Sequence, residues 1–220
     1  MMKSYRLLSC VLFLALTGNL SAGAQGLSKW SVTLTPTILS YSVGVQPGVE
    51  VALGSRWAIL TEAGIPVKSL AERFDERTAF RLSSQLKWTI RPGVRDAYLS
   101  FQAGRVFRTF TENGPGNFTE RLYADTGYRY SSARIHSPIT TLTLFYGANR
   151  PVGERFFIDM AAGMGARVIA TSYDATGVQP ISIQKPRDKI FPAPDPAESC
   201  NCTVTRFRFS VAVRVGYRLR

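Results

Sequence analysis

The stretch RFRFSVAVRVGYRLR, residues 206–220, decides the fold. Phe207, Phe209, Val211, Val213, Val215, Tyr217 and Leu219 alternate with Arg208, Ser210, Ala212, Arg214, Gly216 and Arg218. Successive side chains of a β-strand point to opposite faces, so one face of this strand is continuously apolar. The other face carries arginines among small residues. Such a basic face does not suit the core of a soluble domain. It suits a barrel whose exterior meets lipid and whose interior is polar.

The same period of two recurs upstream. Trp30, Val32 and Leu34 alternate with Ser31, Thr33 and Thr35, ahead of Pro36, which cannot donate to a ladder and marks a bulge or the upper part of the strand. Further alternations centre on Val49–Leu53, Trp57–Gly64, Phe80–Trp88, Leu99–Phe107, Leu142–Tyr146 and Phe156–Val168. With the closing strand they predict an all-β, eight-stranded antiparallel up-and-down transmembrane barrel. Ten strands would require Phe118–Ile135 to form a further barrel hairpin, and its alternation is weak. Connections at 54–56, 91–95 and 150–154 are short, whereas those at 67–77, 111–136 and 174–203 are long and polar or proline-rich. Short turns at one end and long loops at the other are the pattern of bacterial outer-membrane barrels.

An eight-stranded barrel is only wide enough for its own side chains to fill. Its buried charges must therefore pair. Glu50, Glu62 and Asp159 on the inward face are expected to pair with some of Arg81, Lys87, Arg167, Arg208 and Arg214, closing the interior. A lipocalin-like soluble carrier has the same strand number with its apolar face inward. Charges of both signs on the polar face, and Trp57, Trp88, Phe156 and Tyr217 near strand ends, favour lipid outside. Arg105, alone among the apolar residues of its face, is a candidate lipid-headgroup contact near the top of the fifth strand.

Met1–Arg6 form a basic start, Leu7–Leu16 an apolar run, and Ala22-Gly23-Ala24 a small-residue cleavage site. Residues 1–24 therefore read as a signal peptide, leaving residues 25–220 as one barrel domain. Without Lys3 and Arg6, 25 of the 27 basic residues remain against 15 acidic ones. That balance suits a basic barrel interior and attraction to anionic surfaces such as lipopolysaccharide. An exported chain with arginines spread through its strands gives no sign of nucleic-acid binding.

Catalytic and metal constellations are thin. His136 is the one histidine, which argues against a histidine metal site. The pair His136-Ser137 faintly resembles that of barrel lipid A deacylases, but neighbours on a strand face opposite ways. No cofactor is expected. Cys200 and Cys202 flank a single residue, so a short loop disulfide and free thiols both stay open. Gly163 and Gly165 read as room for bulky inward neighbours such as Phe157 or Arg167.

Three segments carry a family resemblance. PGVEVALGSRW (47–57), YGANRPVGERFFIDMAAGMGAR (146–167) and VRVGY (213–217) are similar to the first hairpin, penultimate hairpin and closing strand of small Bacteroidota-type outer-membrane barrels. The resemblance implies an OmpA/OmpX-like architecture without a settled activity. The chain departs from it by ending Leu219-Arg220, where a common barrel ending is aromatic. Taken together, the residues lead us to expect a monomer in the outer membrane of a Gram-negative bacterium. Its partners would be membrane lipid, lipopolysaccharide and the barrel assembly machinery, and its role structural or surface-binding, with a small channel as the alternative.

Overall fold

The computed structural model describes residues 30–39, 42–69, 76–91, 96–121, 126–182 and 200–219; the expected leader, residues 1–24, lies outside them. Among the described residues there are thirteen strands and no helix. They are β1 (Trp30–Leu39), β2 (Ser42–Ala52), β3 (Trp57–Ser69), β4 (Glu76–Arg91), β5 (Asp96–Glu112), β6 (Gly116–Phe118), β7 (Thr126–Tyr130), β8 (Ser132–His136), β9 (Ile139–Val152), β10 (Phe156–Ala170), β11 (Ser172–Thr176), β12 (Gln179–Ser182) and β13 (Thr203–Arg218).

Eight of them close a barrel. β1, β2, β3, β4, β5, β9, β10 and β13 pair antiparallel in that order, and β13 returns to β1. The stagger follows from the register. Rungs lead from Gly104 through Ser83, Glu62, Gly48, Thr33, Gly216 and Phe157 to Pro151. Pro151 lies two residues past Asn149, the partner of Asp96, so one circuit drops ten residues along β5. That stagger corresponds to strands tilted about 40° and a lumen that side chains fill.

The polar face points inward and the apolar face outward, the reverse of a lipocalin. Ser31, Thr33, Gln85, Lys87, Ser100, Asp159 and Arg214 are buried, while Leu34, Phe101, Leu144, Met164 and Phe209 are exposed. Trp57 and Trp88 lie 6.4 Å apart, and Phe156 and Tyr217 5.1 Å apart, beside the short turns. On the same outer surface, toward the other end, Phe80 stacks on Phe107. From Tyr217 to Phe207 the apolar surface is about 25 Å tall, the height of a hydrocarbon band.

The connections at the far end differ from the expected polar loops. Strand pairing enters 67–77 from both sides, to Ser69 and from Glu76, and residues 70–75 lie outside the described ones. β8 and β9 follow one another along β5, separated by Ser137-Pro138, and β11 continues β10 past Thr171 to pair with β8. Two barrel strands thus run on as a ribbon above the barrel.

The segment 111–136, expected to be a loop or a tenth-strand hairpin, supplies β6, β7 and β8, and β12 joins β7 and β6 in a small sheet ordered β12–β7–β6. That sheet and the ribbon enclose Phe110, Phe118, Tyr130, Ala133 and Ile135, with Tyr128 and Tyr173 packed against them. Phe118 stacks on Tyr173 with ring centroids 4.7 Å apart. The described parts of 111–136 and 174–182 therefore fold into a cap with its own aromatic core.

Below the cap, inward-facing Val106, Ile139, Ile169 and Val204 form an apolar plug with Cys202. Of the expected loop 174–203, residues 174–176 belong to β11 and 179–182 form β12, while 183–199 lie outside the described residues.

Candidate functional site

Alternation sends Glu50, Glu62, Lys87, Asp159 and Arg214 into the lumen from five different strands, and the stagger brings them together. Lys87 Nζ donates to Glu50 Oε2 at 2.5 Å and to Asp159 Oδ2 at 2.8 Å. Arg214 donates through Nε to Glu62 Oε1 and through Nη1 to Asp159 Oδ2, both at 3.1 Å. Asp159 is fully buried and shared by both cations. In a low-dielectric interior such sharing offsets the desolvation of each charge. Hydroxyls and an amide add further hydrogen bonds to Asp159 and Glu62. Tyr98 donates to Asp159 Oδ1, Thr35 to Glu62 Oε1 at 2.8 Å, and Gln102 to Glu62 Oε2 at 3.3 Å.

Tyr98 and Gln102 were not anticipated, although both stand in phase with Ser100 on the inward face of β5. Tyr98 fits because the facing position across the β5–β9 ladder is Gly147; a Cβ there would lie 2.9 Å from that of Ala161 and collide with the Tyr98 ring. Gly163 makes room for the ring of Phe145, not for Phe157 or Arg167, and Phe157 instead lies over Gly216.

Arg81 and Arg208 stand outside these pairs. Arg81 Nε is buried with no hydrogen-bond partner among the described residues. Arg208 Nε donates to Ser210 Oγ at 2.8 Å. Arg208 lies within electrostatic reach of both Arg81 and Arg167, so guanidinium groups gather above the paired layer. Arg81 and Arg208 border a cavity of about 590 Å³ whose lining includes Glu62, Gln102 and Arg214.

A second polar knot was missed by the sequence reading. Arg108, buried where the barrel meets the cap, donates from Nε to the Ser137 carbonyl at 2.6 Å and from Nη2 to Ser137 Oγ at 2.9 Å. Ser137 Oγ also lies 2.9 Å from Thr171 Oγ1. Ser137 is thus committed to holding the two strand breaks together. His136 is exposed on the opposite face, its Nδ1 3.2 Å from Thr109 Oγ1.

Cys200 and Cys202 are joined by a disulfide. The segment is anchored from both sides, Asn201 N donating to the Thr119 carbonyl and Thr171 N to the Cys202 carbonyl. Arg105 is outward and exposed on the next-to-last rung of the β5–β9 ladder, with its guanidinium 5.2 Å from the Phe107 ring. Among the described residues no cluster of His, Cys, Asp and Glu is arranged to hold a metal ion.

Fold and site together define a closed eight-stranded barrel with a charged, self-paired interior and an apolar exterior. Compared with known proteins, the chain matches no described family, no curated protein and no solved structure.

Proposed function

We propose that the chain is a non-enzymatic integral outer-membrane barrel of a Gram-negative envelope, acting as a structural or surface-binding element through its cap. The observation that carries this reading is the broad apolar outer face around a lumen of buried charge. In water such a surface would be a large aggregation liability; in lipid it is the stable arrangement. The leader-like residues 1–24 and the resemblance to small Bacteroidota-type barrels with OmpA/OmpX-like architecture agree with it.

The paired layer Glu50–Lys87–Asp159–Arg214–Glu62 fills the lumen, which favours a closed barrel over a channel. Arg105 beside Phe107 suits a headgroup phosphate at the upper interface, with its charge lifted along the ring. Lipid and lipopolysaccharide are the proposed surroundings, the barrel assembly machinery the partner in biogenesis, and the monomer the working state. The commitment of Ser137 to Arg108, with His136 on the other face, speaks against a His/Ser hydrolase.

The test is gel mobility of residues 25–220 refolded into detergent, with and without boiling, together with fractionation of the expressed precursor. Faster migration before boiling and recovery in the outer membrane are expected. A soluble periplasmic chain with no mobility shift would overturn the reading.

A further inference from the structure

We infer that the barrel wall has a lateral opening between β1 and β13 through which the anionic headgroup of a membrane amphiphile enters the cavity beside Arg81 and Arg208. The inference rests on the membrane reading above. The β1–β13 ladder has only four rungs, from Ser31–Arg218 to Leu34–Val215, although β1 continues to Leu39 and β13 begins at Thr203. The other wall ladders of β1 and β13 are complete: β2 pairs with β1 as far as Leu39, and β10 with β13 as far as Thr203.

Pro36 supplies the cause. Leu219 N donates to the Trp30 carbonyl, so Trp30, Val32 and Leu34 turn their backbone polar groups toward β13. The next such residue is Pro36, which has no N–H to give. No bulge forms at Pro36; the ladder to β13 ends there.

The gap lies at the depth of the apolar band. Phe209 and Val211, beside it on β13, are 76% and 79% exposed. Unpaired strand edges are not tolerated against hydrocarbon unless they line a cavity. Here they do: Pro36, Thr37, Val211 and Ala212 all border the cavity.

What the cavity accepts follows from its unpaired atoms. Gln46, only 3% exposed, has its Nε2 unsatisfied, as is Arg81 Nε. Both atoms are N–H donors, and both residues line the cavity together with Arg208. Three carboxylates against Lys87 and Arg214 leave one negative charge in the paired layer; Arg81 and Arg208 turn that into one positive charge. Donors and charge together call for a carboxylate or phosphate oxygen. The route to them crosses an apolar sill where an acyl chain would rest on Phe209 and Val211.

Three photoreactive diazirine probes separate the possibilities: a palmitate, a lysophosphatidate and an uncharged monoacylglycerol. Each is titrated onto residues 25–220 inserted in phosphatidylcholine vesicles, and labelled peptides are mapped by mass spectrometry. Saturable labelling near residues 207–213 by an anionic probe is expected. The palmitate and lysophosphatidate arms tell a carboxylate headgroup from a phosphate.

Labelling should fall at least tenfold in Arg81→Gln/Arg208→Gln and severalfold in Pro36→Val, which restores the missing donor. Equal labelling by the uncharged probe, or labelling unchanged in the arginine double variant, would overturn the inference while insertion stands. Failure of the unlabelled chain to insert and to show the gel shift would overturn the membrane reading with it.

Discussion

Lys87 Nζ and Asp159 Oδ2, 72 residues apart in the chain, meet 2.8 Å apart inside the barrel. β4 and β10 are not neighbours in the wall, so this pair spans the lumen. Since Lys87 also holds Glu50, one ammonium ties three strands.

Lys87→Met should therefore leave half-buried Glu50 without its cation and buried Asp159 with Arg214 alone. A loss of about 3–5 kcal/mol is expected. Urea unfolding of the vesicle-inserted protein, followed by tryptophan fluorescence and by gel shift, measures it.

Arg81 and Arg214 are both inward arginines, yet their removal should differ sharply. Arg214→Gln strips the guanidinium from Glu62 and Asp159 and should cost about 3–5 kcal/mol. Arg81→Gln removes a group whose Nε is unpaired and which Arg208 and Arg214 repel while Glu62 attracts it, and should lie within about 1 kcal/mol of the parent. Equal costs for the two would show that the paired layer is not what stabilises the lumen.

Gly48 faces Glu62 across the β2–β3 ladder. An added Cβ would lie 2.6 Å from Thr33 Oγ1 and 2.9 Å from Glu62 Cγ. Gly48→Ala should push Glu62 off Arg214 and destabilise by about 1–3 kcal/mol, an overpacking cost readable in the same unfolding assay.

The cap should fail separately from the barrel. Phe118 touches Tyr128, Tyr130 and Tyr173, and Phe118→Ala should expose 111–136 to limited proteolysis. The protected barrel fragment should keep its gel shift. Loss of the shift would mean that cap and barrel fold as one unit.

In planar bilayers the parent should show no large conductance steps, because the paired layer fills the lumen. Steps that are present in the parent and change size in Glu62→Gln or Arg214→Gln would favour the channel alternative.

The wall was legible in the sequence because a period of two assigns each residue to a face without knowledge of its neighbours. Glu50, Glu62, Lys87, Asp159 and Arg214 fell on the inward face for that reason alone. Which cation meets which carboxylate depends on stagger, fixed by ladders between strands far apart in the chain. Nothing local marks Lys87 for Asp159 and leaves Arg81 unpaired. Tyr98 hid because an aromatic on a polar face looks out of phase until Gly147 is seen opposite. The cap was illegible for another reason. Its strands are three to five residues long, too short for alternation to stand out, and its aromatic core is gathered from Phe118, Tyr130 and Tyr173 on separate segments.

The four-rung seam between Ser31 and Val215 also bears on how the chain comes to be folded. It is the contact of longest sequence separation in the wall and among the least reinforced. The entropy of drawing together ends so far apart is met last, after hairpins such as β4–β5 have formed from local contacts. On that ground the rungs from Ser31 to Leu34 should close last on folding and open first on unfolding.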